Sequence, residues 1–272
     1  MPVAFCFYVY FEINIKLLRR IGRTMYSFTT RVRYSELAED KKASIVSIIN
    51  YFQDCCTFEA EDGGVGLSWL KEHGTAWMLT GWQVHVIRRP RYCEEIKVTT
   101  WACDFRYSFG KRSFTIVNKD GELLVWALSD WAYVNMKKGS FEKNVPEKEI
   151  EVYGMDTPIS ERFDEFKIEG DPQDVILKGK IRIPEEMEEL PPLTVSADNL
   201  DTNHHVNNVQ CVALAKSALT EEIDCRVFRS EIKKQSGLGD TLYPFVSCEE
   251  DRVVVKLCGD DGQRRIVCEF IK

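Results

Sequence analysis

Asp201-Thr202-Asn203-His204-His205-Val206-Asn207-Asn208 packs one carboxylate, three carboxamides and two imidazoles into eight residues. Apolar periodicity begins inside it and continues after it, with Val206, Val209, Val212-Ala213 and Ala215 at helical spacing. A helix cap needs a single Ser, Thr, Asp or Asn at its first position, and this stretch carries far more polar groups than that. Two readings follow: an elaborate cap and turn, or a catalytic constellation placed at a helix start. Asp201, Asn203 and His205 alternate, so an extended approach to the helix projects all three to one side.

Outward from this stretch the chain repeats itself. Residues 32–43 set beneath 195–206 bring Val32 onto Val195 and Leu37 onto Leu200. Both segments read as a short strand, a polar turn and an amphipathic helix. In the first helix Ile45, Ile48, Ile49, Phe52 and Cys55-Cys56 recur at helical spacing. β-rich runs follow each helix: 75–85, 95–101, 112–117 and 123–134 in the first half, then 227–233, 241–248, 252–257 and 265–270 in the second. Asn118-Lys119-Asp120-Gly121 and Gly259-Asp260-Asp261-Gly262 are the matching hairpin-type turns. The pattern is one helix wrapped by an antiparallel sheet, twice. The charged stretch 139–174, broken by Pro146, Pro158 and Pro172, reads as the connection between the halves.

The two halves differ in chemistry. Where the second has Asp201, Asn203 and His205, the first has Ala38, Asp40 and Lys42. A duplicated fold needs only one working site, which is then expected in the second half. The aliphatic face of the first helix can pack the sheet while its flank lines a cavity.

Composition limits the alternatives. With 272 residues, 44% of them hydrophobic, the chain can build a sizeable core. A net charge of −7 gives no general attraction to nucleic acid or to an anionic membrane. There is no run of 18 apolar residues for a helical membrane span. Ten cysteines are scattered, without a C-x-x-C pair, so reduced thiols in a cytoplasmic protein are expected rather than a disulfide framework or a structural zinc. Residues 1–24 run from an aromatic-rich stretch into Arg19-Arg20-Ile21-Gly22-Arg23, the reverse of a signal peptide's order, and read as an extension ahead of the domain.

Asp-x-Asn-x-His-Val-Asn-Asn ahead of a helix resembles the signature of the acyl-acyl carrier protein thioesterases. Four further pieces resemble that family in the same order: 77–84 with Arg89-Pro90, Val98-Thr99-Thr100-Trp101, Gly121-Glu122-Leu123, and Ser129-Asp130-Trp131. The likeness runs roughly from residue 26 to residue 272. It implies an α+β double hot-dog fold, with an extension at 1–24, an N-terminal hot-dog unit at 25–150 holding the acyl pocket, a linker at 151–174 and a catalytic hot-dog unit at 175–272.

The resemblance also implies hydrolysis of the acyl carrier protein thioester to free fatty acid, without cofactor or metal. Asp201, Asn203, His205 and Glu231 match its catalytic positions. Plant members carry a cysteine directly after that acid; Ile232 stands there here, which favours attack by water over a thiol. Ile45, Ile49 and Phe52 are the candidates for the acyl pocket. The partner implied is an acyl carrier protein bearing an acyl-phosphopantetheine, an acidic molecule. Arg88, Arg89, Arg91, Lys233 and Lys234 are the candidate docking charges, with ordinary solvated strand ends as the competing reading. No nucleic acid and no membrane insertion are expected, and a homodimer is compatible. A coenzyme A thioesterase, a silent acyl-binding protein and, less well, a hot-dog dehydratase are the alternatives.

Overall fold

The computed structural model describes residues 25–272; the extension expected at 1–24 lies outside the described residues. The first half runs β1 (Tyr26–Arg31), α1 (Ile45–Asp62), α2 (Leu67–His73), β2 (Thr75–Val86), β3 (Glu95–Arg106), β4 (Phe109–Asn118), β5 (Leu123–Asn135) and β6 (Ser140–Phe141). Three short helices follow: α3 (Glu147–Tyr153), α4 (Phe163–Phe166) and α5 (Pro172–Val175). The second half runs β7 (Glu188–Glu189), β8 (Leu193–Thr194), α6 (Asn208–Ser217), β9 (Val227–Ile232), β10 (Thr241–Cys248), β11 (Arg252–Gly259) and β12 (Arg264–Ile271).

All described strands join one antiparallel sheet in the order β1-β3-β4-β5-β2-β9-β12-β11-β10-β7, with β6 on β5 and β8 on β10. The order within each half is the same, and the halves meet edge to edge at β2 and β9, where Gly81 pairs with Glu231 and His85 with Val227. The close approach at this seam explains the glycine: a Cβ on Gly81 would stand 2.8 Å from the Ser230 carbonyl oxygen. This is the helix wrapped by an antiparallel sheet, twice, that the repeat predicts, and the α+β double hot dog that the resemblance implies.

The repeat holds at the level of single bonds. Leu37 bridges Ala43 in the first half, and Leu200 bridges Val206 in the second. Lys41 and His204 take the same left-handed turn position, with φ of 63° and 61°. Ser44 caps α1 by accepting from Ser47 N–H, and Asn207 caps α6 by accepting from Val209 N–H. Ile45, Ile48, Ile49 and Phe52 of α1, and Val209, Val212 and Ala215 of α6, sink into one continuous core with Val84, Phe114, Phe228 and Phe270.

The connection expected as a linker is packed rather than loose. Ile159 and Phe163 cover Trp101 and Trp126 on the outer face of the first sheet. Trp101 Nε1 donates to the Thr157 carbonyl at 2.9 Å, and Ile159 N–H donates to Ser113 Oγ at 3.1 Å. Helix α1 takes one face of the sheet, so a covering segment on the other face buries aromatic side chains that would otherwise be wet.

Candidate active site

Asp201 organises the loop ahead of α6. Its Oδ1 accepts from Asn203 N–H at 2.8 Å and from His205 N–H at 3.1 Å. Its own N–H donates to the His205 carbonyl at 2.8 Å. A short carboxylate satisfying two nearby amides is the reason Asp is favoured in such turns. Among the described residues Oδ2 takes no partner, so half of the carboxylate stays available.

A cavity of about 540 Å³ opens at this loop. Asp201, Thr202, Asn203, Asn207 and Asn208 form its polar wall, and Gln53, Cys56, Thr57 and Ala60 of α1 line its length. Trp77, Phe105, Trp131 and Tyr153 supply the aromatic lining, with Arg112 beside them. Gln53 Nε2 donates to Asn207 Oδ1 at 3.4 Å, so the helix of one half is joined to the cap of the other. The start of α6 brings first-turn N–H groups without helical partners and a positive helix end to the same wall.

Not all of the expected residues meet here. Asp201 and Asn203 line the cavity; His205, half-buried, follows on the same loop without lining it. Glu231 stands elsewhere. In β9 Phe228, Ser230 and Ile232 point to the core and are buried, so Glu231 points to the opposite face of the sheet. There its Oε1 accepts from Ile181 N–H at 2.6 Å, and Oε2 faces Lys233 at 3.3 Å and Arg264 at 3.7 Å. It borders a separate cavity of about 920 Å³ beneath the connecting segment. Strand alternation is the physical reason: a residue between two core-facing neighbours cannot reach a site on the helix side.

The β9 extension meets the loop further on. Val206 N–H donates to the Ser236 carbonyl at 2.8 Å, as Ala43 N–H donates to the Pro90 carbonyl at 2.8 Å in the first half. Among the described residues Gln235 Oε1 and Ser236 Oγ are buried there without partners. Extending the internal repeat past the strand would have drawn attention to these two positions.

Ile45, Ile49 and Phe52 are core residues, and none of them lines the cavity; the neighbouring flank of α1 does so instead. The basic cluster is also differently placed. Arg89 is buried against Asp40, with Glu222 and Asp224 of the second half each at 3.5 Å. Arg88 is bound by Glu94 at 2.7 Å and Glu122 at 2.8 Å, and Lys234 by Asp261 at 2.7 Å. Lys233 faces Glu231, and Arg91 is exposed. Local acidic partners use up charge that a docking surface would need. Where the second half has its polar loop, the first half's Asp40 and Arg89 thus form a clamp between the halves.

Cys56 and Cys211 are pushed up by burial to about 11 and about 12, which leaves both thiols protonated near neutral pH.

Residues 23–153 match the model of the acyl-ACP thioesterase N-terminal domain. The chain is 29% identical over 241 residues to a chloroplastic acyl-acyl carrier protein hydrolase of Cuphea viscosissima, covering 81% of this chain and 55% of the relative. It is 26% identical over 243 residues to a chloroplastic palmitoyl-acyl carrier protein thioesterase of Gossypium hirsutum, covering 83% and 55%. The chain spans about half the length of the curated relatives it matches. Among solved structures, an acyl-ACP thioesterase from Bacteroides thetaiotaomicron superposes with a TM-score of 0.76 at 20% identity, covering 91% of this chain and 97% of that one. A 12:0-ACP thioesterase from Umbellularia californica gives 0.73 at 18% identity, covering 91% and 96%. These two likenesses show the shared architecture, and the matched model shows the lineage of the first half: residues 23–153 belong to the acyl-ACP thioesterase N-terminal domain family.

Proposed function

We propose that this protein hydrolyses the thioester of acyl-acyl carrier protein and releases free fatty acid, ending the growth of the chain. The observation that carries this reading is the junction of the polar loop at 201–208 with an apolar cavity along α1. The acyl chain lies in the cavity, and its thioester carbonyl rests against the loop and the start of α6. First-turn N–H groups of α6 stabilise the oxyanion as water adds to the carbonyl. The free oxygen of Asp201 accepts the proton of that water. Asn203 orients the water without adding charge, and the proton taken up by Asp201 passes to the departing phosphopantetheine sulfur as its bond to the acyl carbon breaks, while His205 holds Asp201 through its N–H. Ser236, beside the loop, holds its last turn through the carbonyl that accepts from Val206 N–H.

Family membership and the named acyl carrier protein hydrolases among the relatives support the carrier-borne substrate over coenzyme A. Among the described residues no helix is long and apolar enough to cross a membrane. Turnover of acyl-carrier substrates, measured against the matching coenzyme A thioesters, tests the reading. A preference for coenzyme A, or binding without turnover of either, would replace it.

A further inference from the structure

The acyl cavity contains a charge. Arg112 of β4 faces the helix side of the sheet and lines the cavity, yet it is only 8% exposed. Its Nη2 pairs with Glu59 of α1, itself buried, and its Nε donates to Thr100 Oγ1 at 3.2 Å. The Tyr153 ring lies under the guanidinium at 5.1 Å. Among the described residues Nη1 takes no partner. Two of the five N–H donors of the fork are therefore engaged, and three remain on a residue that lines this cavity and also borders the larger one beneath the connecting segment.

A buried ion pair is a poor device for stability alone, because an apolar pair of equal volume commonly serves as well or better. Here it also sits beside Cys56, Ala60, Trp77 and Phe105, where a plain hydrocarbon chain would want apolar wall. A saturated chain leaves the spare donors unsatisfied. A chain with an oxygen at that depth accepts from them, and a hydrogen bond to a buried charged group is worth more than one between neutral groups.

We propose that Arg112 recognises an oxygen on the acyl chain, so that the cavity takes hydroxy- or oxo-acyl chains in preference to their plain counterparts. This rests on the thioesterase reading above. The position of the oxygen follows from the helix. Gln53 marks the mouth through its bond to Asn207, and Glu59 marks the ion pair. Six residues of α1 separate them, roughly 9 Å at 1.5 Å per residue. With C–C bonds of about 1.5 Å in a zigzag, that depth corresponds to roughly seven carbons from the thioester.

The test uses free fatty acids, so it does not depend on turnover. Decanoic acid and its 7- and 8-hydroxy derivatives are titrated into the protein while tryptophan fluorescence is followed, since Trp77 and Trp131 line the cavity. The hydroxy acids are expected to bind about tenfold more tightly or better. A double variant, Arg112→Met with Glu59→Met, removes the pair without stranding one charge, and it should bind both classes equally. Arg112→Lys should keep part of the preference. Equal binding of plain and hydroxy acids by the unaltered protein overturns the proposal, whatever the variants do. Selective binding without hydrolysis of any acyl-carrier substrate would leave this recognition standing and remove the thioesterase reading instead.

Discussion

Asp201 and His205 hold each other by two reciprocal bonds: His205 N–H donates to Asp201 Oδ1 at 3.1 Å, and Asp201 N–H donates to the His205 carbonyl at 2.8 Å. The carboxylate is thus a scaffold for the loop as well as the proposed base, and two substitutions separate the roles. Asp201→Asn keeps an acceptor at Oδ1, so the loop should fold with a nearly unchanged melting temperature while kcat falls by roughly 10²-fold or more. Asp201→Ala should lower both. If Asp201→Asn turns over at the original rate, the residue is scaffold only.

Glu231 should behave as a structural acid. Glu231→Gln keeps an acceptor for Ile181 N–H and loses the pairing with Lys233 and Arg264, so kcat should stay close to that of the unaltered protein. Glu231→Ala should lower Tm by a few degrees through loss of a part-buried bond. Steady-state kinetics beside a thermal melt reads both. A collapse of kcat in Glu231→Gln at unchanged Tm would restore the acid to the catalytic set.

No thiol is expected to act in the reaction. Burial raises the Cys56, Cys211 and Cys225 thiols to about 11, about 12 and about 12, so thiolate is scarce near pH 7. Alkylating the folded protein should modify the exposed Cys93 and Cys248 first and leave turnover intact. Rapid inactivation that follows one buried cysteine, and is blocked by fatty acid, would contradict this.

Arg89→Ala tests the clamp between the halves. Removing the guanidinium leaves Asp40, Glu222 and Asp224 close together without their shared cation. A loss on the order of 3 kcal/mol in denaturant unfolding is expected. Catalysis on the remaining folded fraction should be normal. Arg91→Glu, on an exposed side chain, should leave stability alone; a rise in KM confined to carrier-borne substrate would mark it as a docking residue.

The pH dependence of stability should carry the signature of His85. Stacked on Trp126 at 3.8 Å, it is buried, and burial lowers its pKa from 6.5 to about 4. Between those values the unfolded chain binds a proton that the folded chain does not. Stability from this residue is therefore complete above pH 6.5 and is lost as pH falls toward 4. His85→Gln should flatten the slope of unfolding free energy in that window. An unchanged slope would assign it to other groups.

The sequence made the fold legible because the duplication is written in residues with fixed duties. Val32 and Val195, Leu37 and Leu200, and the caps Ser44 and Asn207 occupy matching places in both halves. Hairpin turns such as that at Asn118 and Gly121 are equally local, since Asn118 Oδ1 holds the turn and Gly121 takes a φ of 80°. The loop at 201–205 was legible as a polar turn ahead of a helix, but not its shape: an extended approach was expected to project Asp201, Asn203 and His205 together, whereas the chain turns at His204, with φ of 61°, and His205 does not line the cavity. Glu231 was not legible, because motif likeness along a strand fixes a residue's neighbourhood but not its face; a shift of one position reverses the face. The cavity lining was hidden as well. Periodicity marks the apolar stripe of α1, whereas the cavity takes the adjacent flank at Gln53, Cys56 and Thr57, where polarity is mixed. Nor does sequence tell which arginine finds local acids, as Arg88 and Arg89 do.

The seam between β2 and β9 makes the duplication mechanically indivisible. Pulling the halves apart would bare a row of main-chain donors and acceptors on both edges and split a core that runs through both helices. Neither half can therefore loosen alone without stripping the other. Amide hydrogen exchange along residues 81–85 and 227–231 should be among the slowest in the molecule, and loss of protection on the two sides should be simultaneous.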